Sequence, residues 1–141
     1  MKNCSLDYEV TLEVTHHGPT GFKTPLFFVE IGSTEKQWRD KGAAEFVVDS
    51  ILAGLESKKT FQKAVGFGGG HYAPTFSERE LVAFGHICPK YAADELTDEL
   101  VEEMVGMTVD GVDFAVLDEK GLKGRHKVMI KRVLDRLEVE Y

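Results

Sequence analysis

The stretch Leu26-Phe27-Phe28-Val29-Glu30-Ile31, with the helical pattern after it and a second apolar run from Phe61 to Phe67, decides the fold class. Its near-continuous apolar character predicts a strand covered on both faces. Gly32-Ser33-Thr34 then opens a helix: Thr34 and Gln37 stand at capping-box spacing, with Glu35 in the first turn. Trp38, Phe46, Val47, Ile51 and Leu55 keep a helical period down to about Ser57. Strand, helix and strand in that order have the length of a parallel crossover unit.

Upstream, Tyr8 to Val14 alternates strictly. Tyr8, Val10, Leu12 and Val14 lie on one side and Glu9, Thr11 and Glu13 on the other, as in a strand with one buried face and one wet or functional face. Gly18 and Pro19 end the pattern. The link from Thr15 to Pro25 is too short for a parallel crossover, so these first two strands are expected to run antiparallel. Downstream, Leu81 to Phe84 reads as a short strand, Thr97 to Met107 as an acidic helix and Val112 to Leu117 as a strand. Leu122 to Glu138 reads as a closing helix with Ile130, Val133, Leu134 and Leu137 on one face. The expectation is a single α/β domain over residues 1–141, a three-layer α/β/α arrangement with a mixed sheet.

A chain of 141 residues can form one core without metals or disulfides. Lys and Arg number 17 against 24 Asp and Glu, a net charge of −7, which excludes a uniformly basic nucleic-acid coat or a polybasic membrane anchor. No apolar stretch approaches the ~18 residues of a membrane span, and no signal-peptide pattern opens the chain. Cys4 and Cys88 lack metal-ligand spacing, so reduced thiols in a cytoplasm are expected. The charge is polarised. Asp94 to Asp110 holds seven acids and no Lys or Arg; Lys120 to Arg136 holds seven bases against Asp135 alone. Arg125, Arg132 and Arg136 share one stripe of the last helix, which reads either as a solvated face near a helix C-terminus or as a phosphate-contacting face.

Gly68-Gly69-Gly70-His71 is the most specific string for chemistry. Glycines after a strand let backbone N–H groups approach an anion or oxyanion closely, and His71 sets a base beside them. No Walker A or Gly-x-Gly-x-x-Gly pattern is present. His16 and His17 serve one site only if the chain turns, which Gly18-Pro19 favours. With Glu30 or His71 they make a three-ligand zinc site with an open position. Glu30, in an apolar run, needs a partner if buried. His86 and Lys90 lie on a third loop, Lys90 as a phosphate or carboxylate ligand. A nucleophile-elbow serine is missing, and neither cysteine sits in a catalytic string.

Four motifs together resemble the archaeal and plant type D-aminoacyl-tRNA deacylases. They are Tyr8 to Thr20 with its His-His-Gly-Pro, Phe28 to Thr34 with Trp38, Gly66 to Pro74, and Ala83 to Ile87 with Pro89-Lys90-Tyr91. The resemblance implies a fold similar to peptidyl-tRNA hydrolase and nucleoside phosphorylases, and hydrolysis of the ester joining a D-amino acid to tRNA. It also implies zinc dependence. On this reading His71, His17 and Glu30 are catalytic, and His16 and His86 hold metal. Gly68, Gly69, Gly70, Lys90, Arg125, Arg132 and Arg136 bind the D-aminoacyl-tRNA. Family members are roughly twice as long, and this chain corresponds to their C-terminal half. Thr75 stands where the family often has Arg, and the stretch from Pro74 to Ala83 is shorter. The partners implied are a homo-oligomer or a complementary N-terminal-half chain, with no membrane. The alternatives are a non-catalytic or partner-dependent half-length subunit and, from fold analogy, a phosphorylase.

Overall fold

The computed structural model describes residues 6–18 and 21–141; Cys4, Pro19 and Thr20 lie outside the described residues. In chain order the helices are α1 (Glu35–Trp38), α2 (Lys41–Glu56), α3 (Pro74–Ser77), α4 (Asp98–Gly106) and α5 (Gly124–Arg136). The strands are β1 (Gln62–Phe67), β2 (Val82–Cys88) and β3 (Phe114–Leu117). The described residues divide into two compact units, 11–18 with 61–141 and 6–10 with 21–60.

In the larger unit β1 is central, flanked by β2 and β3 in parallel. Alternation along β1 sends Val65 and Phe67 to one face, where they meet Val101 of α4 and Ile130, Val133 and Leu134 of α5. The opposite face carries Ile87 and Val116 against Val14, Ala73 and Phe76. Burying Phe67, Phe76 or Ile130 contributes about 1.5–3 kcal/mol each. Gly66 is required beneath Phe76, because a Cβ there would come within 2.8 Å of the ring. Gly85 is the extra residue where the β1–β2 register shifts, and it lies against Thr108.

The α/β class is as expected, but the sheet of described residues is parallel rather than mixed. Neither segment expected to run antiparallel joins it. Residues 11–15 bond instead to loops and strand ends: the Leu12 N–H donates to Ser77 Oγ (2.9 Å), Val14 N–H to the His71 carbonyl (3.0 Å) and Thr15 N–H to the Ile87 carbonyl (2.9 Å). The alternation had marked Val14 as buried, and it is, but burial here comes from α3 and the sheet face.

In the smaller unit the expected helix is broken at Arg39-Asp40. Asp40 caps α2 by accepting the Gly42 and Ala43 N–H groups (2.9 and 3.3 Å). Tyr8 Oη donates to Asp40 (2.9 Å), and this bond leads the N-cap bonds in holding the carboxyl below its ordinary range. Leu26 to Ile31 forms no strand: Leu26, Phe27, Phe28 and Val29 are 52%, 63%, 51% and 48% exposed. Glu30 is exposed too, so it is not a carboxylate buried in an apolar strand. Val48, Leu52 and Leu55 of α2 are likewise exposed, and Ala43 is the buried residue of that helix.

Candidate active site

The carboxyl ends of parallel strands are where open α/β sheets receive ligands. Here β1 runs into Gly68-Gly69-Gly70-His71, β2 into Pro89-Lys90 and β3 into Asp118. Gly68 and Gly69 have φ of +102° and +74°, conformations that L side chains rarely adopt. Three bonds hold this turn: Gly68 N–H to the Cys88 carbonyl (2.8 Å), Lys90 N–H to the Gly69 carbonyl (3.0 Å) and Asp118 N–H to the Phe67 carbonyl (2.8 Å). The N–H groups of Gly69, Gly70 and His71 meet no backbone carbonyl among the described residues; Gly69 is buried with Gly121 against its nitrogen, while Gly70 and His71 are partly exposed.

The bond from Val14 to the His71 carbonyl brings Glu13 beside His71. Glu13 Oε1 lies 3.4 Å from His71 Nε2, and its Oε2 lies 3.1 Å from His16 Nε2. The chain bends here, so the rings of His16 and His17 are neighbours at 4.1 Å between centroids, and those of His16 and His71 at 4.6 Å. Glu13, His16 and His17 each offer a ligand atom within 4.8 Å of the others. Tyr72 packs edge-on to His71 at 4.9 Å. Glu13 was legible only as part of the polar face of residues 8–14; its target lies far along the chain.

His86 stands apart from this cluster on β2, sharing a sheet face with Cys88. Burial pushes its imidazole below the ordinary value, and Glu103 opposes that in part. Burial pushes the Cys88 thiol up to about 11, so it is no nucleophile near neutral pH. Glu30 belongs to the smaller unit. Lys90 is exposed at the end of β2.

The arginine stripe faces the acidic helix of its own chain. Arg125 and Lys123 pair with Asp94 (2.5 and 2.7 Å), Arg132 with Asp98 (2.5 Å), and Arg136 with Glu102 and Asp98. His126, its side chain 6% exposed, puts Nε2 2.7 Å from Asp94 Oδ1. Hydrogen bonds from Lys123, Arg125 and His126, in that order, hold the Asp94 carboxyl far below the ordinary range. The polarised charge of the sequence thus closes on itself as an α4–α5 ion-pair ladder. One further carboxylate was not singled out from sequence: Asp118, which accepts from Thr75 Oγ1 at 3.1 Å beside the glycine turn.

A family model described as D-aminoacyl-tRNA deacylase matches residues 1–141. The D-aminoacyl-tRNA deacylase of Thermococcus kodakarensis is 43% identical over 141 residues, covering 96% of this chain and 52% of that protein. That of Methanosarcina mazei is 44% identical over 135 residues, 94% of this chain and 44% of that protein. The crystal structure of a conserved protein of unknown function superposes with a TM-score of 0.87 at 38% identity, covering 94% of this chain and 48% of that one. The chain spans about half the length of the relatives it matches.

Proposed function

The chain belongs to the D-aminoacyl-tRNA deacylase family, and from that premise we propose that it hydrolyses the ester of D-aminoacyl-tRNA at the carboxyl edge of its sheet. The observation that supports this most is the grouping of His71, Glu13, His16 and His17 next to the glycine turn. His71 takes a proton from a water as its oxygen attacks the ester carbonyl carbon. The oxygen that gains charge is received at the partly exposed Gly70 end of the turn, whose N–H meets no backbone carbonyl among the described residues. The carbon–oxygen bond to the ribose then breaks, and His71 returns the proton to the departing oxygen. Free D-amino acid and tRNA result. Glu13, its Oε1 3.4 Å from His71 Nε2, is placed to orient the imidazole, in the way a carboxylate orients a catalytic imidazole.

Zinc fits the same cluster. Two imidazoles and a carboxylate within 4.8 Å are a donor set that zinc takes in catalytic sites with one position left open. Glu13, His16 and His17 would hold it, in place of the His16–His86 set expected from sequence. A bound zinc would supply Lewis acidity that lowers the pKa of water. The terminal phosphates of tRNA fall to Lys90 and the turn; the three arginines would first have to leave their carboxylates.

A separate observation supports a partner. Leu26, Phe27, Phe28 and Val29, and Val48, Leu52 and Leu55 of α2, are exposed large apolar side chains, of the kind that mark an interaction site where they gather. The relatives carry a further half that this chain does not match, and a polypeptide equivalent to that half is the occupant proposed. A charged tRNA acted on in this way is met in the cytoplasm.

The test is the release of D-amino acid from D-aminoacyl-tRNA by the chain alone and with the unmatched half of the Thermococcus kodakarensis relative added. Release in either arm is expected, with a one-to-one complex by sedimentation that Phe27→Asp weakens. Absence of release in both arms contradicts the reading, and a dimer of this chain alone would place a second copy on the apolar surface.

A further inference from the structure

Residues 11–15 run from α3 to the outer edge of β2, and their odd and even side chains do different work. Leu12 and Val14 pack with Phe76 and Ile87, and alternation puts Thr11, Glu13 and Thr15 on the other side. Each of these three makes a polar contact. Thr11 Oγ1 donates to the Tyr72 carbonyl at 2.6 Å and lies 2.8 Å from Ser77 Oγ, which itself accepts the Leu12 N–H. Glu13 faces His71 and His16. Thr15 is held twice by one residue: its N–H donates to the Ile87 carbonyl at 2.9 Å, and its Oγ1 accepts the Ile87 N–H at 3.1 Å. The Cys88 carbonyl accepts from Gly68 at the end of β1, so Ile87 before it turns its N–H and carbonyl to the outer edge of the sheet. Ile87 is 3% exposed, and a buried N–H needs an acceptor. The threonine hydroxyl supplies it where a further strand would have supplied a carbonyl. Residues 16–18 make no backbone-to-backbone bond among the described residues, so Thr15 is the last main-chain anchor before His16 and His17.

We propose that Thr11 and Thr15 are positioning residues that set Glu13 against His71 and His16, one hydroxyl to either side of the carboxylate. This rests on the ester-hydrolase reading, in which that cluster does the chemistry, and deepens it by naming what holds the cluster in place. The bond from the Val14 N–H to the His71 carbonyl is a single point of attachment, about which the segment could still turn. The Thr11 and Thr15 bonds, two residues before and after Glu13, remove that freedom. His16 follows Thr15 directly, so the same clamp sets the ring whose centroid stands 4.6 Å from that of His71. The two hydroxyls touch no substrate; they act through Glu13 and His16. Valine has nearly the shape of threonine but can neither donate to the Tyr72 carbonyl nor accept from the Ile87 N–H, which at Thr15 would leave a buried donor unmet.

The experiment reads the nuclear Overhauser contact between the His16 and His71 ring protons, on the chain with labelled histidines, in wild type, Thr15→Val, Thr15→Ser and Thr11→Val. The contact is expected in wild type and in Thr15→Ser, which keeps the hydroxyl. It should be lost in Thr15→Val and Thr11→Val, with the methyl shifts of core Val65 and Ile130 unchanged. Should Thr15→Val fail to fold, Thr11→Val carries the test, because its hydroxyl serves no backbone N–H. Absence of the contact in wild type, or its persistence in a folded Val variant, overturns the proposal. On D-aminoacyl-tRNA, Thr15→Val should lower kcat about 10²-fold with KM unchanged, the cost of a misplaced catalytic group, and Thr15→Ser should restore it. A lower melting point with the contact and kcat both kept would mark a merely structural role and also overturns the proposal. Absence of turnover in wild type counts against the hydrolase reading alone, since the ring contact is read without substrate.

Discussion

His71 Nε2 stands 3.4 Å from Glu13 Oε1, and the bond that makes them neighbours runs from the Val14 N–H to the His71 carbonyl, one residue along from the carboxylate. A backbone bond thus sets a side-chain pair. Glu13 also touches His16, so one carboxylate faces the base with one oxygen and the candidate metal ligands with the other.

Glu13→Gln keeps the volume and removes the charge. Zinc affinity is expected to fall by more than the roughly ten- to hundred-fold usual for loss of a supporting group, because Glu13 is one of the three proposed ligands. Titration with zinc in competition with a chelator checks this, and unchanged affinity would remove Glu13 from the donor set.

Asp94 carries the pH prediction. Its carboxyl is lowered in the folded chain, so it contributes stability that is present above the unfolded aspartate pKa of about 3.9 and is lost as pH falls toward its lowered folded value. Asp94→Asn should therefore melt lower than wild type at pH 7. The gap should narrow below about pH 4. Thermal melts across that range test it; a gap independent of pH would show that the ladder acts through packing instead.

Gly66→Ala puts a methyl into the Phe76 ring, within 2.8 Å before any relaxation. A loss of about 1–3 kcal/mol in urea unfolding is expected, as for overpacked cores. The double variant with Phe76→Leu should be less than additive, because the two share one contact.

Cys88 is buried with its thiol pushed up to about 11. Alkylation by iodoacetamide at pH 8, mapped by peptide mass, is expected to spare Cys88 in the native chain and to modify it in urea. Rapid native labelling would show that β2 opens readily.

The sheet and its closing helices were largely legible in the sequence because their patterns are local. Val65 and Phe67 alternate, Ile130, Val133 and Leu134 repeat with helical period, and the acidic helix expected from Thr97 to Met107 is α4. What was not legible is tertiary. Residues 8–14 alternate like a strand, yet the N–H groups of Leu12, Val14 and the adjacent Thr15 go to Ser77, His71 and Ile87, partners that no local pattern names. Leu26 to Ile31 is apolar enough for a buried strand and is exposed. The basic stripe of α5 was visible, and so was the acidic run from Asp94, but their meeting depends on how α4 and α5 dock. At the site, Gly68 to His71 and His16-His17 could be marked from residue type alone. Glu13 could not, since it acquires its role from a neighbour distant in sequence.

The most direct test of the Glu13–His16–His17–His71 site is the rate at which His71→Ala releases D-amino acid from D-aminoacyl-tRNA, against wild type with its zinc content measured on the same sample. A loss of about 10²–10⁴-fold with zinc retained is predicted, the worth of a positioned general base. A variant that keeps the wild-type rate would contradict the assignment of His71 and, with it, the site.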